Sequence, residues 1–273
     1  MCFGLSVIAA HPTAQFAAST NLVEVYATVR DGEGRLLTGL PREAFTVEEG
    51  GRPQPVQAFA AGNFPLSLAV AVDHSFSVPR DRLAYAVNAT QRMLGALRPE
   101  DRVTMLGIGS GVEVLTPLST DHRAAYDAVA TLAPWGTTPL FDATVAAIDA
   151  VQGASGRRAL VLVTDGSDRY SAATAAEMVA YARRRDVLVY PVTFGKVVPP
   201  VLNELAAVTG ARAVAVPDVR ALTATLTGIA DELRQQYLIG YAPGTGPSGW
   251  RSITVKVSTP GARVRAREGY VAP

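Results

Sequence analysis

The sequence predicts an α/β protein: a doubly wound, mostly parallel sheet inserted in a small β-sandwich formed by the N- and C-terminal flanks. Three observations carry this prediction. Between about Phe64 and Gln236, short runs that are apolar on both faces alternate with amphipathic helical patterns. On either side the chain reads as period-two strands separated by Gly- and Pro-rich turns. Neither flank holds enough strands to bury a core alone, so the economical arrangement joins them. The expected division is 1–20 as a disordered lead or signal remnant, 21–62 and 237–273 as the two halves of the sandwich, and 63–236 as the inserted α/β domain.

In "NLVEVYATVR", Val23, Val25, Ala27 and Val29 fall on one face. "RDGEGR" is a turn, and "AFTVEEGGRPQPVQAFA" reads as strand, Gly-Gly turn, strand. The central strands are "PLSLAVAV", "RVTMLGIG", "RRALVLVT", "DVLVYPVTFG" and "RAVAVP", apolar throughout, as strands covered by helices on both faces must be. "GVEVLTPLS" follows its predecessor too closely for a crossover, so it is expected antiparallel at the sheet edge. Pro79 opens a first helix with Leu83, Val87, Leu94 and Leu97 on one side, and Pro139 a second with Leu140, Thr144, Ala147 and Val151. Ser171 is expected to cap a third. Pro199 and Pro200 open a fourth, which Gly210 stops, and Asp218 caps a fifth carrying Leu222, Leu226, Ile229 and Leu233. After Tyr237 come three strands, "QYLIGYAP", "RSITVKVST" and "GARVRAREGY".

Composition narrows the function. Twenty-five basic and 24 acidic residues leave a net charge of +1, so no bulk field recruits nucleic acid or an anionic membrane. The basic run Arg183 to Arg185 fits the end of a helix instead. No stretch reaches the length of a membrane span. His11, His74 and His122 are scattered and Cys2 is the only cysteine, which disfavours a zinc site of nitrogen and sulfur ligands. No phosphate-binding glycine loop is present, and a serine nucleophile would lack both its elbow and a late histidine. The first twenty residues combine a short apolar segment with small residues but no basic start. They fit a signal remnant or a frayed end, and the former implies a secreted, periplasmic or cell-surface protein.

Three segments carry candidate chemistry: Asp73-His74-Ser75-Phe76-Ser77 at the end of the first α/β strand, "PWGTTPLFDA" with Thr137 and Thr138, and "LVTDGSD" with Asp165. In an open parallel sheet all three gather at the rim beyond the carboxyl ends of the strands, where ligands bind. In extended backbone, alternate positions aim Asp73, Ser75 and Ser77 the same way. Oxygen donors select hard divalent cations, Mg²⁺ first, with Mn²⁺ or Ca²⁺ as alternatives. Hydroxyls around one or two carboxylates under-neutralise such an ion and leave it able to grip a further carboxylate. Taken singly, each segment has a plain reading: Ser77 as a helix cap, "TDG" as a turn, "GTTP" as the start of a helix, His74 as a histidine on the rim.

Together, "LAVAVDHSFS", "WGTTPLFDA" and "ALVLVTDGSD" resemble a von Willebrand factor type A (VWA) domain, a Rossmann-like fold, from about Phe64 to Gln236; the flanks resemble those of a bacterial VWA-related group. The resemblance implies a metal-ion-dependent adhesion site (MIDAS) held by Asp73, Ser75, Ser77, Thr138 and Asp165. It further implies a non-enzymatic binding role in which the ion takes an acidic residue of a protein partner. The chain departs from the family pattern at His74 and Phe76, where small residues are usual, and at Gly136-Thr137-Thr138, where Thr137 is the rival ligand. Two other readings stand beside binding: a metal-dependent phosphohydrolase using Asp73, and a scaffold whose metal site is degenerate.

Overall fold

The computed structural model describes residues 22–62 and 64–272. The lead expected at 1–20 lies outside them. In chain order come strands β1 (Val23–Arg30), β2 (Phe45–Glu49), β3 (Arg52–Gln54), β4 (Val56–Ala61) and β5 (Leu66–Asp73). Next are α1 (Arg80–Leu94), β6 (Arg102–Ile108), β7 (Val112–Ser119), α2 (His122–Ala130), α3 (Leu140–Gln152), β8 (Arg157–Thr164) and α4 (Ala175–Arg183). They are followed by β9 (Leu188–Phe194), α5 (Pro200–Thr209), β10 (Val214–Val216), α6 (Leu222–Arg234), β11 (Tyr237–Tyr241), β12 (Gly249–Val257), β13 (Arg263–Arg265) and β14 (Gly269–Ala272).

The central sheet runs β10-β9-β8-β5-β6-β7, parallel except for β7, which closes one edge antiparallel as its short connection requires. Strand β5 is buried along its whole length. Its alternation divides the core in two. Leu68, Val70 and Val72 pack with Leu83 and Met93 of α1, Val129 of α2 and Leu226 and Ile229 of α6. Ala69 and Ala71 pack on the opposite face with Leu140 and Ile148 of α3, Met178 of α4 and Leu205 of α5. Two faces covered by helices explain why the strand shows no polar period.

The flanks form two four-stranded sheets, β13-β1-β11-β4 and β14-β12-β2-β3, each mixing strands from both ends of the chain. One cluster, including Val25, Val29, Phe45, Val47, Tyr237, Ile239 and Ile253, fills the space between them. The chain leaves this sandwich from β4 and returns into β11. The two strands are antiparallel neighbours with Ala61 opposite Tyr237, and the Gly62 N–H donates to the Gln236 carbonyl at 3.0 Å. Both ends of the insertion are thus tied side by side.

Four local expectations change. The strand expected after the Gly-Gly turn divides at Pro55 into β3 and β4, which lie in different sheets, because proline cannot donate to a continuing ladder. "GARVRAREGY" likewise divides into β13 and β14, again in different sheets. Helix α2 was not anticipated; Asp121 caps it, accepting the Ala124 N–H at 2.9 Å. The cap of α4 is Thr174 rather than Ser171, in a reciprocal capping box with Glu177.

Candidate metal centre

Asp73 ends β5 in the middle of the sheet and is fully buried. Its Oδ1 accepts the Ser75 backbone N–H at 3.0 Å, and its Oδ2 accepts the Thr164 hydroxyl at 2.8 Å. The hydroxyls of Ser75 and Ser77 lie 2.9 Å apart. Ser77 therefore does not cap α1, whose N-cap is Pro79 without a side-chain bond. Thr138 is fully buried in the loop before α3 and donates its hydroxyl to Ser75 Oγ at 2.7 Å, while Thr137 is exposed. Asp165, the first residue beyond β8, is half-buried, and its Oδ1 accepts the Ser167 N–H at 2.8 Å.

Four of the five residues singled out in the sequence thus form one hydrogen-bonded chain or its direct neighbour, and Asp165 is close enough for its charge to act on Asp73. Burial pushes the Asp73 carboxyl above its ordinary value against the pull of the Ser75 and Thr164 hydrogen bonds, and Asp165 pushes it further. No arginine or lysine is among the largest influences on it. A buried carboxylate without a cation is costly, and three hydroxyls with free lone pairs stand beside it. This donor set fits a hard divalent cation. Among the described residues no three His, Cys, Asp or Glu side chains cluster in a way that could hold an ion, so hydroxyls must supply much of any coordination.

The rim is held from behind by residues that the sequence did not single out. The Arg169 N–H donates to the Thr138 carbonyl at 2.6 Å. Phe141 N–H, at the start of α3, donates to Asp168 Oδ1 and to Ser171 Oγ, each at 3.1 Å. In return, Asp142 accepts the N–H groups of Ala172 and Ala173 at 2.7 and 2.9 Å. These bonds fasten the loop after Asp165 to the helix after Thr138. Ser171 thus caps no helix of its own segment; its hydroxyl accepts first-turn N–H groups of α3, whose N-cap is Pro139. Gly136 adopts φ +76°, and a Cβ there would lie 2.2 Å from Ser110 Oγ, so only glycine lets the Thr138 loop rest on the β6–β7 hairpin.

His74 is not a rim residue. It is 7% exposed, its Nδ1 donates to the Ala133 carbonyl at 2.7 Å, and its carbonyl accepts the Trp135 N–H at 2.8 Å. The exposed neighbours are Phe76 and Trp135, 69% and 64% open to solvent, with ring centroids 6.4 Å apart in an edge-on arrangement.

Comparison with known proteins identifies the fold that carries these residues. The family model described as "von Willebrand factor type A domain" matches residues 67–228. The chain belongs to the VWA family. VWA domains are commonly metal-dependent interaction modules. No curated protein matches the chain. Among solved structures, a von Willebrand factor type A protein from Catenulispora acidiphila is similar over 94% of this chain and 75% of its own, at 14% identity and a TM-score of 0.56. BatB from Bacteroides thetaiotaomicron is similar over 62% of this chain and 98% of its own, at 20% identity and a TM-score of 0.50. Proximal thread matrix protein 1 from the mussel byssus, whose structure has a zinc-occupied MIDAS motif, is similar over 63% of this chain and 49% of its own, at 14% identity and a TM-score of 0.51. At these identities the likeness shows the VWA fold alone. The described residues contain no helix long and apolar enough to cross a membrane.

Proposed function

We propose that this VWA domain is a metal-ion-dependent protein-binding module. A divalent cation, Mg²⁺ with Mn²⁺ or Ca²⁺ as alternatives, would be held by Asp73, Ser75, Ser77, Thr138 and Asp165. When bound, it supplies an electrophilic centre with an open position for a carboxylate of a partner protein. The observation that carries the reading is Asp73 itself: a fully buried carboxylate joined to a hydroxyl cluster at the mouth of the sheet, with no positive side chain bonded to it among the described residues. The chain's own residues orient the site. The Ser75 N–H and the Thr164 hydroxyl fix the Asp73 carboxylate, and Thr138 fixes Ser75. A phosphohydrolase reading would need a cationic clamp for phosphate beside Asp73. The groups that bond that carboxylate are Ser75 and Thr164, neither of them a cation, which supports binding over turnover. We extend the proposal to a unit at 63–236 carried by the sandwich of 21–62 and 237–273. We also extend it to a secreted, periplasmic or cell-surface setting, which the small, apolar composition of residues 1–20 supports.

The test is calorimetry with Mg²⁺ and Mn²⁺ on the native chain and on Asp73→Ala. One-site binding that the substitution abolishes is the expected result. Native protein that takes up neither ion, in a preparation shown to be folded, would overturn the reading in favour of a degenerate site.

A further inference from the structure

Beside the proposed ion site lies a second, smaller feature that the carboxylate contact does not use. A cleft of about 160 Å³ opens between the β6–β7 hairpin and the loop before Thr138, lined by His74, Ser110, Glu113, Trp135 and the glycines of "GIGSG". An imidazole nitrogen 2.7 Å from a carbonyl oxygen has to be the donor, so Nδ1 of His74 carries the hydrogen. Nε2 of the neutral ring then presents a lone pair. It has no hydrogen-bond partner among the described residues, although the ring is more than nine-tenths buried.

The backbone sets what surrounds that lone pair. Gly107 stands opposite Glu113 in the antiparallel ladder, and a Cβ on Gly107 would lie 3.1 Å from His74 Nε2. The Glu113 side chain therefore rises on the face against which the imidazole packs. A Cβ on Gly109 would lie 3.2 Å from the same nitrogen and 2.8 Å from the Trp135 carbonyl oxygen. Glycine at both positions keeps the space open. The lining thus offers a carboxylate, an imidazole lone pair, a hydroxyl and an indole, with no lysine or arginine. Every one of these attracts positive charge, and the volume is enough for the head of one side chain.

We propose that this cleft is a subsite for a guanidinium or ammonium group. It extends the proposed carboxylate contact and rests on it only for the partner's second group. The cleft is joined to the proposed ion site through one loop: Trp135 lines the cleft, Gly136 rests on Ser110 at its edge, and Thr138 two residues on bonds Ser75. The partner segment that fits both carries an acidic and a basic side chain close together. Pairing opposite charges at adjacent points fixes the orientation of the segment and rejects segments with acidic residues alone.

The test uses the full chain in the presence of a chelator, so that it does not depend on the ion. Methylguanidinium chloride is titrated while the Trp135 indole N–H and His74 ring resonances are followed, with sodium chloride at matched ionic strength as the control. Saturable shifts at both residues are expected, with affinity weakened about fivefold or more in Glu113→Gln, whose side chain is exposed and outside the core. Shifts that do not saturate, that sodium chloride reproduces, or that keep their affinity in Glu113→Gln overturn the proposal. None of these outcomes bears on Mg²⁺ calorimetry at Asp73, so the two readings fail separately.

Discussion

Glu232→Gln is expected to loosen the bond between the last helix and the sandwich. Glu232 lies on α6 and is fully buried. Arg30 of β1 reaches its carboxylate at 2.6 Å, Arg212 at 2.9 Å and Arg265 of β13 at 2.5 Å, and the Tyr190 hydroxyl of β9 donates at 3.2 Å. The substitution keeps the shape and removes the charge, leaving an amide N–H₂ facing guanidinium donors. Breaking a buried ion pair costs about 3–5 kcal/mol. The three arginine side chains retain between 27% and 31% exposure. Part of their charge therefore stays solvated, and the expected loss falls to about 2–4 kcal/mol. In a chain of this size that corresponds to a melting temperature lower by roughly 5–10 °C.

The pH dependence gives a second signature. Burial pushes the Glu232 carboxyl up, but the charges of Arg265 and Arg212 and the hydrogen bonds from Arg212 and Arg30 outweigh it and hold the group below its ordinary value. A carboxyl so held contributes stability that is fully present above the unfolded pKa and is lost as pH falls through the folded one. Urea unfolding of both proteins should therefore show the full gap at neutral pH, closing below the ordinary value of 4.5. A gap under about 1 kcal/mol at neutral pH, or one that does not change on acidification, would refute the reasoning.

Two further outcomes are expected. Thr138→Val should weaken Mg²⁺ binding about tenfold or more while Thr137→Val leaves it unchanged, because only Thr138 is buried against Ser75; calorimetry showing the reverse order would exchange their roles. Arg157→Met should cost less than about 1 kcal/mol in urea unfolding, or should stabilise, since burial pushes the guanidinium down to about 10 and its Nε and Nη1 lack partners among the described groups; a loss above about 2 kcal/mol would show that its stacking on Tyr26 and Phe64 matters more than its desolvation.

What the sequence made legible follows from how local each signal is. "LAVAVD" declares a doubly covered strand because burial on both faces removes every polar position, and β5 is such a strand. Asp73, Ser75 and Ser77 do come together, but not through the extended backbone their alternate spacing suggested: β5 ends at Asp73, and a turn in which the Val78 N–H bonds the Ser75 carbonyl at 3.1 Å brings the two serine hydroxyls within 2.9 Å. Choosing Thr138 over Thr137 needed the packing of the loop, since both stand in the same short motif. The Thr174 cap is legible in "TAAE", a capping-box pattern, and that reciprocal pair outweighs Ser171, which has no acidic partner three residues on. Ser171 and Asp168 in fact serve α3, some thirty residues earlier, and no spacing in the chain announces that. Glu232 is the extreme case. In the linear pattern it is a charge near the end of an amphipathic helix, suited to solvent. Its partners come from positions 30, 212 and 265, and only closure of the sandwich around the insertion assembles them.

That assembly bears on how binding at the rim could be coupled to the rest of the molecule. A shift of α6 along its axis would have to draw Glu232 away from three arginines, two of them on sandwich strands, and expose a carboxylate now fully buried. It would also strain the return of the chain, where Gln236 bonds Gly62 through its carbonyl and Thr28 through its side chain at 3.1 Å. A ligand can shift an equilibrium only by its differential affinity for the two states, and turning a hundredfold preference into its reverse takes about 5.5 kcal/mol. The ion site does reach α6 through packing, since Val72 before Asp73 and Val78 after Ser77 share one buried cluster with Leu222, Leu226 and Ile229 of that helix. The segments that carry the proposed ligands are the rim loops: 74–78, the Trp135–Thr138 turn and the loop after Asp165, held to one another by backbone and side-chain bonds. A response confined to those loops would leave the ties of α6 and of the chain's return to the sandwich unbroken.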